Sequence, residues 1–424
     1  MTNRLLVLLI TLLIVFKIAA IYFTNFGLYG DEAQYWLWSL KPDLGYYSKP
    51  PLLAWFLYGY TNIFGDSFFS LKTFPIVVYF FISFSIYKLC ISLSFSKHNS
   101  LLCAIGFIII PAASVSSFLI STDLLLLLFW TLSLVTLLNI IKYNYIYNFS
   151  LLGLFLGLAF LAKYAAIYFL LSLLTLIIID KKTLGIFKNN LLGSFVFLIT
   201  FLLVLGPNIL WNINNGWVTL SHTSDNVNLQ NLNLNFIEPV RFLVAQILMV
   251  GPFLFFSFMF FLKYFYLDFE NKFLLVFSIP IFFVILIESF LVRANANWAA
   301  PALISLFILL FRLVNFNKPR LIKINFLFNY VVVLFLFASI LFTSNSRVFD
   351  RIRGVDDFAK EVLNISNGVD LVISDRIVFS NISYKVRDKE NIIFMPYKIN
   401  SPIKNHFQIS SPLSSNHEDD FFLI

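Results

Sequence analysis

Apolar runs of about 20 residues, parted by short polar breaks, recur along most of the 424-residue chain, and about 20 apolar residues are what one bilayer crossing needs. A chain written this way cannot close around a single soluble core, because its apolar surface is spread over many separate segments. The composition agrees: 59% of residues are hydrophobic and 12% charged, where globular domains average about 45–50% and about 25%. A soluble one-core enzyme, a disordered chain and a disulfide scaffold are excluded. The reading is an all-α polytopic membrane protein.

Eleven spans are expected, at roughly 5–24, 72–94, 101–118, 123–141, 149–162, 165–179, 190–211, 240–264, 272–292, 298–311 and 324–344. With the N-terminus inside, the inner connections hold twelve Lys and Arg and the longer outer ones six, as the positive-inside rule requires. An odd number of spans places the tail outside. Residues 346–424 carry ten Lys and Arg against eleven Asp and Glu, so the net charge of +8 belongs to the membrane part. Anionic headgroups explain that excess, and no nucleic-acid partner is implied. Cys90 and Cys103 read as packing residues near the inner ends of neighbouring helices. The chain divides into a transmembrane domain, 1–345, and a small extracytoplasmic segment, 346–424.

The first apolar stretch outruns a signal-peptide core and reads as an uncleaved helix. Lys17 inside it must snorkel or meet an anion, and snorkelling toward the outer face is the simpler expectation. Asp31, Glu32, Asp43, Asp66, Asp123, Asp225, Glu238 and Glu288 all fall on or near the outer side. Polar chemistry is thus expected at the extracytoplasmic face. No Gly-rich phosphate loop of the nucleotide-binding kinds occurs, so nothing points to direct use of ATP or a nucleotide sugar.

The first outer loop holds Gly30-Asp31-Glu32-Ala33-Gln34-Tyr35-Trp36 and then Gly45-Tyr46-Tyr47-Ser48-Lys49-Pro50-Pro51. An acidic pair directly after a transmembrane helix meets lipid headgroups while hydrated, and one carboxylate there can act as a general base. Lys49 offers a compact cation for a phosphate on a backbone stiffened by two prolines. The plainer alternative is an interfacial loop whose Tyr and Trp form an aromatic belt.

These motifs, with Phe64-Gly65 after them, resemble the family 39 glycosyltransferases. Those are polyprenyl-phosphate-dependent enzymes of the GT-C membrane fold, related to protein mannosyltransferases and lipid A aminoarabinose transferases. The likeness continues at Ser121-Thr122-Asp123, at Gly157-Leu158-Ala159-Phe160-Leu161-Ala162-Lys163-Tyr164 and at Pro207-Asn208-Ile209-Leu210-Trp211-Asn212 with Gly216-Trp217. Asn297-Trp298-Ala299-Ala300-Pro301 follows. The resemblance implies transfer of a sugar from a polyprenyl phosphate on the outer leaflet, with Asp31 as catalytic carboxylate and Lys49 on the donor phosphate; Glu32, the other half of the acidic pair, is the second catalytic candidate. One departure stands out: aminoarabinose transferases carry Arg three residues after the Asp, and this chain has Gln34, so a phosphate contact made there would be lost.

Asp123 at a helix start either complements the helix dipole or positions substrate, as Tyr47, Asn297 and Trp298 would. Lys163, with Tyr164 beside it, is expensive in an apolar stretch without an anion, and donor phosphate is the expected partner. Arg293 either snorkels or assists that phosphate. His222 reads as a solvated loop residue. Four scattered histidines form no metal cluster, although one divalent cation could bridge carboxylates and donor phosphate. Residues 212–239 form a lid, a surface helix or an inert connector. In the tail, Asp356–Asn364 reads as a helix and Asp370–Ser374 and Asn391–Met395 as short strands of an α/β module contributing to acceptor recognition.

The leading expectation is a multi-pass glycosyltransferase of a bacterial inner membrane, working at its outer face among membrane lipids. It would take sugar from a polyprenyl phosphate to a glycolipid, lipopolysaccharide or protein acceptor. A transporter or flippase of lipid-linked sugars is the main rival, though neither an internal repeat nor midplane acids support it. A non-catalytic membrane scaffold is the second rival.

Overall fold

Long apolar runs become long helices, and some of the breaks between them become sharp bends. In a computed structural model, the described residues are 3–24, 26–227, 234–292, 294–342, 354–366, 368–387, 392–398, 401–413 and 420–424. Among them, seven helical segments are long and apolar enough to cross a membrane: Arg4–Phe23, Phe68–Ser92, Thr122–Tyr143, Leu191–Asn214, Phe269–Leu291, Ala296–Asn317 and Pro319–Phe342.

The other four expected spans are helical too, but shorter or bent. Residues 149–162 lie in the 17-residue helix Ile146–Ala162. Residues 165–179 belong to Tyr164–Ile179, which turns by 104° into Lys181–Asn189, where Asp180 caps the new helix through the Thr183 amide. The expected continuous span 240–264 is instead bent by 96° between Ile237–Val250 and Pro252–Tyr264. Gly251, at φ 107°, followed by a proline that lacks an amide N–H, explains that break. Residues 101–118 divide into Lys97–Ile108 and Pro111–Ser116, with Pro111 opening the second helix.

Packing depends on small residues and on polar groups that find distant partners. A Cβ at Gly153 would meet the Phe197 carbonyl, so this glycine lets Ile146–Ala162 lie directly on Leu191–Asn214. Lys17 does not snorkel. It is 3% exposed, donates to Ser117 Oγ at 2.7 Å and lies over the Phe337 ring. Its partner is a hundred residues away in the chain, which is why the helix pattern alone favoured snorkelling. Elsewhere in the bundle, Arg312 donates two hydrogen bonds to Asp268, at 3.0 and 2.7 Å, and Lys272 pairs with Asp180 at 3.1 Å. Cys90 and Cys103 are free and buried in the core.

The tail is an α/β module, richer than the sequence suggested. Helix Val355–Ser366 and strands Asp370–Val372 and Ile393–Phe394 match the expected elements. Helix Arg376–Lys385 and strand Phe421–Leu423 are additional, and Asp370–Val372 pairs in parallel with both other strands. Tyr384 stacks edge-on against Trp36 at 4.9 Å and donates to the Asp66 carbonyl at 3.0 Å. The module therefore sits at the bundle end that carries the first loop.

Candidate active site

The helix Asp31–Leu40 starts at Gly30, whose φ of 22° suits glycine, and puts Asp31 and Glu32 in its first turn, the positive end of its dipole. The two carboxylates then part. Glu32 turns inward and is 1% exposed. Its Oε2 accepts from Lys72 Nζ at 2.5 Å and from the Tyr29 amide at 2.6 Å, and its Oε1 from the Ile120 amide at 2.8 Å. Asp31 turns outward, half-exposed, to a cavity. The expectation of a catalytic Glu32 is revised accordingly: it does not line the cavity, and every oxygen is engaged in joining the first loop to two other chain segments.

Lys49 is presented by a loop that other motifs hold in place. Tyr46 stacks flat on Trp38, 4.5 Å between ring centres, and donates to the Trp38 carbonyl at 3.1 Å. Trp211 Nε1 donates to Asp43 at 2.8 Å and Asn208 Nδ2 to the Leu44 carbonyl at 2.7 Å. Gly45 lies against the Trp211 ring so closely that a Cβ would collide with it. Asn208 also accepts from Tyr164 at 2.8 Å. The Pro207–Trp211 motif thus serves to fix the Lys49 loop. Among the described residues Lys49 Nζ has no hydrogen-bond or ion-pair partner. Burial, and then the charge of Lys163, hold its ammonium below the ordinary lysine range, against the opposing pull of Asp123 and Asp31.

Three helix ends meet at Asp123. Its Oδ1 pairs with Lys163 Nζ at 2.7 Å and its Oδ2 accepts from Asn297 Nδ2 at 3.0 Å. Lys163 sits in extended backbone between Ile146–Ala162 and the next helix, so its side chain reaches the same space as Lys49.

The cavity these groups surround has a volume of about 700 Å³. Asp31, Tyr47, Lys49, Lys163, Tyr164 and Trp298 line it, while Asp123 and Asn297 brace it from behind. Arg293 lies outside the described residues. His222, expected in a solvated loop, is on the helix Val218–Val227, packs on Tyr47 at 5.0 Å and lines the cavity with Trp217 and Thr223. Burial and the cations Lys49 and Arg376 hold its pKa down, with Asp225 opposing. Within 212–239, residues 218–227 therefore form a helix that lines the cavity, and residues 228–233 are outside the described ones.

Sequence reasoning missed the wall built by the tail. Arg376, Lys404, Asn405 and His406 all line the cavity. Arg376 pairs with Asp31 at 2.9 Å and donates to Gln34 Oε1 at 2.7 Å. His406 packs edge-on against Trp38 and Tyr46, and burial pushes its pKa down to about 4. The one available signal was local: Asp375 caps the Ile377 and Val378 amides after a short strand, a strand-to-helix turn. Among the described residues, no three His, Cys, Asp or Glu side chains are grouped to hold a metal ion.

Residues 48–211 match the family model described as dolichyl-phosphate-mannose-protein mannosyltransferase. The lipid A galacturonosyltransferase RgtD of Rhizobium johnstonii is 27% identical over 379 residues, spanning 86% of this chain and 79% of its own length. Among solved structures, ArnT from Cupriavidus metallidurans bound to undecaprenyl phosphate superposes with a TM-score of 0.66 at 14% identity, covering 94% of this chain and 87% of that one. The oligosaccharyltransferase of Archaeoglobus fulgidus in its apo form gives 0.52 at 13% identity, covering 89% and 63%.

Proposed function

We propose that this chain, a membrane glycosyltransferase of the GT-C class, moves a sugar from a polyprenyl phosphate to a lipid A-type glycolipid at the outer face of the inner membrane. The observation that carries the reading is one cavity holding a half-exposed carboxylate, Asp31, and a partly buried ammonium, Lys49, that has no partner among the described residues. A partly desolvated cation without a partner is stabilised when an anion arrives. The phosphate of a lipid-linked sugar is such an anion, and undecaprenyl phosphate is what the Cupriavidus protein binds. The Rhizobium relative, similar over most of its length, directs the acceptor toward lipid A.

In the reaction, an acceptor hydroxyl attacks the anomeric carbon while the bond from that carbon to the phosphate oxygen breaks. The electron pair leaves on the polyprenyl phosphate, and the hydroxyl proton passes to Asp31. An acceptor phosphate would be ionised already, and Asp31 would then orient it. Lys49, with Lys163 beside it, stabilises the charge that grows on the departing phosphate. The helix Val218–Val227 lines the cavity through Leu220, His222 and Thr223.

Purified protein in lipid nanodiscs, given a polyprenyl-phosphate sugar and lipid A, should release free polyprenyl phosphate and glycosylate the lipid. Efficient turnover of a nucleotide sugar with no lipid carrier would overturn the reading.

A further inference from the structure

Among the described residues, the cation that Gln34 meets in the cavity comes from the tail. Arg376 opens the helix Arg376–Lys385, which is docked on Asp31–Leu40 through the Trp36–Tyr384 contact. Its Nη1 uses both hydrogens, on Asp31 Oδ1 at 2.9 Å and on Gln34 Oε1 at 2.7 Å. A guanidinium has five N–H donors in a rigid fork. The remaining three, on Nη2 and Nε, have no partner among the described residues, and the side chain is 41% exposed. Gln34 is itself 4% exposed, so the amide that holds Nη1 is fixed by packing.

Resting on the donor reading above, we propose that Arg376 is an anion-binding residue of the active cavity, delivered by the C-terminal module, and that its free Nη2/Nε edge takes an oxyanion of the donor in bidentate fashion. Planar bidentate pairing with a carboxylate or phosphate is what this edge is built for. Two donor groups carry that chemistry: the phosphate of the carrier, and a carboxylate on an acidic sugar. Asp31 and Gln34 pre-orient the fork, which reduces the entropy lost when the ligand arrives. The module thereby becomes part of the site, and donor choice depends on it.

The test uses the full chain in nanodiscs, with two readouts. Binding of undecaprenyl phosphate is followed by native mass spectrometry. Transfer is compared for a uronic-acid and a neutral-hexose polyprenyl phosphate. R376A should weaken undecaprenyl phosphate binding by about ten- to a hundredfold if the phosphate is the partner, the range of a charge-assisted hydrogen-bonded pair. If the sugar carboxylate is the partner, carrier binding stays and the preference for the acidic donor falls by a similar factor. R376K, which keeps the charge and loses the fork, should lie between. R376A combined with Q34R, which returns a guanidinium to the same place from the membrane domain, should recover much of the lost quantity and so separates this role from folding of the module. Carrier binding and donor preference both within about twofold of wild type in R376A, with loss confined to kcat, would overturn the proposal. So would a loss in R376A that Q34R leaves untouched. Wild-type protein that binds no undecaprenyl phosphate would overturn the donor reading itself and this proposal with it.

Discussion

Asp31→Asn keeps the size of the side chain and its ability to accept from Arg376, and removes its charge and basicity. With a hydroxyl acceptor, single-turnover transfer should fall by about 100–10,000-fold, the usual contribution of a general base, while donor affinity changes little. Near-normal transfer would remove Asp31 as the base. Lys49→Ala should behave differently, weakening donor binding and slowing transfer together. The pH dependence adds a second check. Burial first, and Lys163 next, hold the Lys49 ammonium below its ordinary 10.5. Anion binding needs the protonated form, so donor affinity is full below the lowered pKa and is lost as pH rises through it, earlier than for an exposed lysine. Lys49→Arg stays charged and should abolish that alkaline limb, with only partial rescue of transfer because a planar fork does not reproduce a point charge. A limb that survives in Lys49→Arg would assign it to another group.

At the scale of elements, the buried pair of Glu32 and Lys72 joins the first-loop helix to Phe68–Ser92 and to the Ile120 amide. Removing one partner of such a pair typically costs about 3–5 kcal/mol, because the other charge stays buried and uncompensated. Glu32→Gln should therefore lower thermal stability sharply, and adding Lys72→Met should restore part of it; unchanged stability in the single variant would return Glu32 to the list of catalytic candidates. The contrast with Asp31 marks what the sequence could disclose. Apolar runs placed the helices, because span length depends only on local composition. The motifs brought Asp31, Lys49, Lys163 and Tyr164 to one cavity, because each falls at a helix end expected on the same side. Partnerships across long separations were not legible: Lys17 with Ser117, Glu32 with Lys72, and Arg376 with Asp31, 345 residues apart. The bend at Gly251-Pro252 was signalled in the sequence by two residues unsuited to a straight helix, yet the apolar run around it reads as a single crossing.

For the molecule as a whole, the account requires the tail and the first loop on one side and the Tyr143–Tyr145 connection on the other. Both native cysteines are buried, so introduced cysteines can report sidedness against a low background. Lys398→Cys, exposed on the tail, should react with a membrane-impermeant maleimide in intact spheroplasts; Lys142→Cys should react only after permeabilisation. Labelling of both from the same side would break the topology on which the site rests. The central claim, that the cavity between Asp31 and Lys49 receives a lipid-linked phosphate, is tested most directly by an electron cryomicroscopy structure of the protein in nanodiscs with undecaprenyl phosphate. The account predicts density for the phosphate inside the cavity, with an oxygen about 2.7–3.2 Å from Lys49 Nζ and Asp31 facing open space on the acceptor side. A phosphate bound outside the cavity, or at the end of the bundle that carries Asp180 and Asp268, would contradict it.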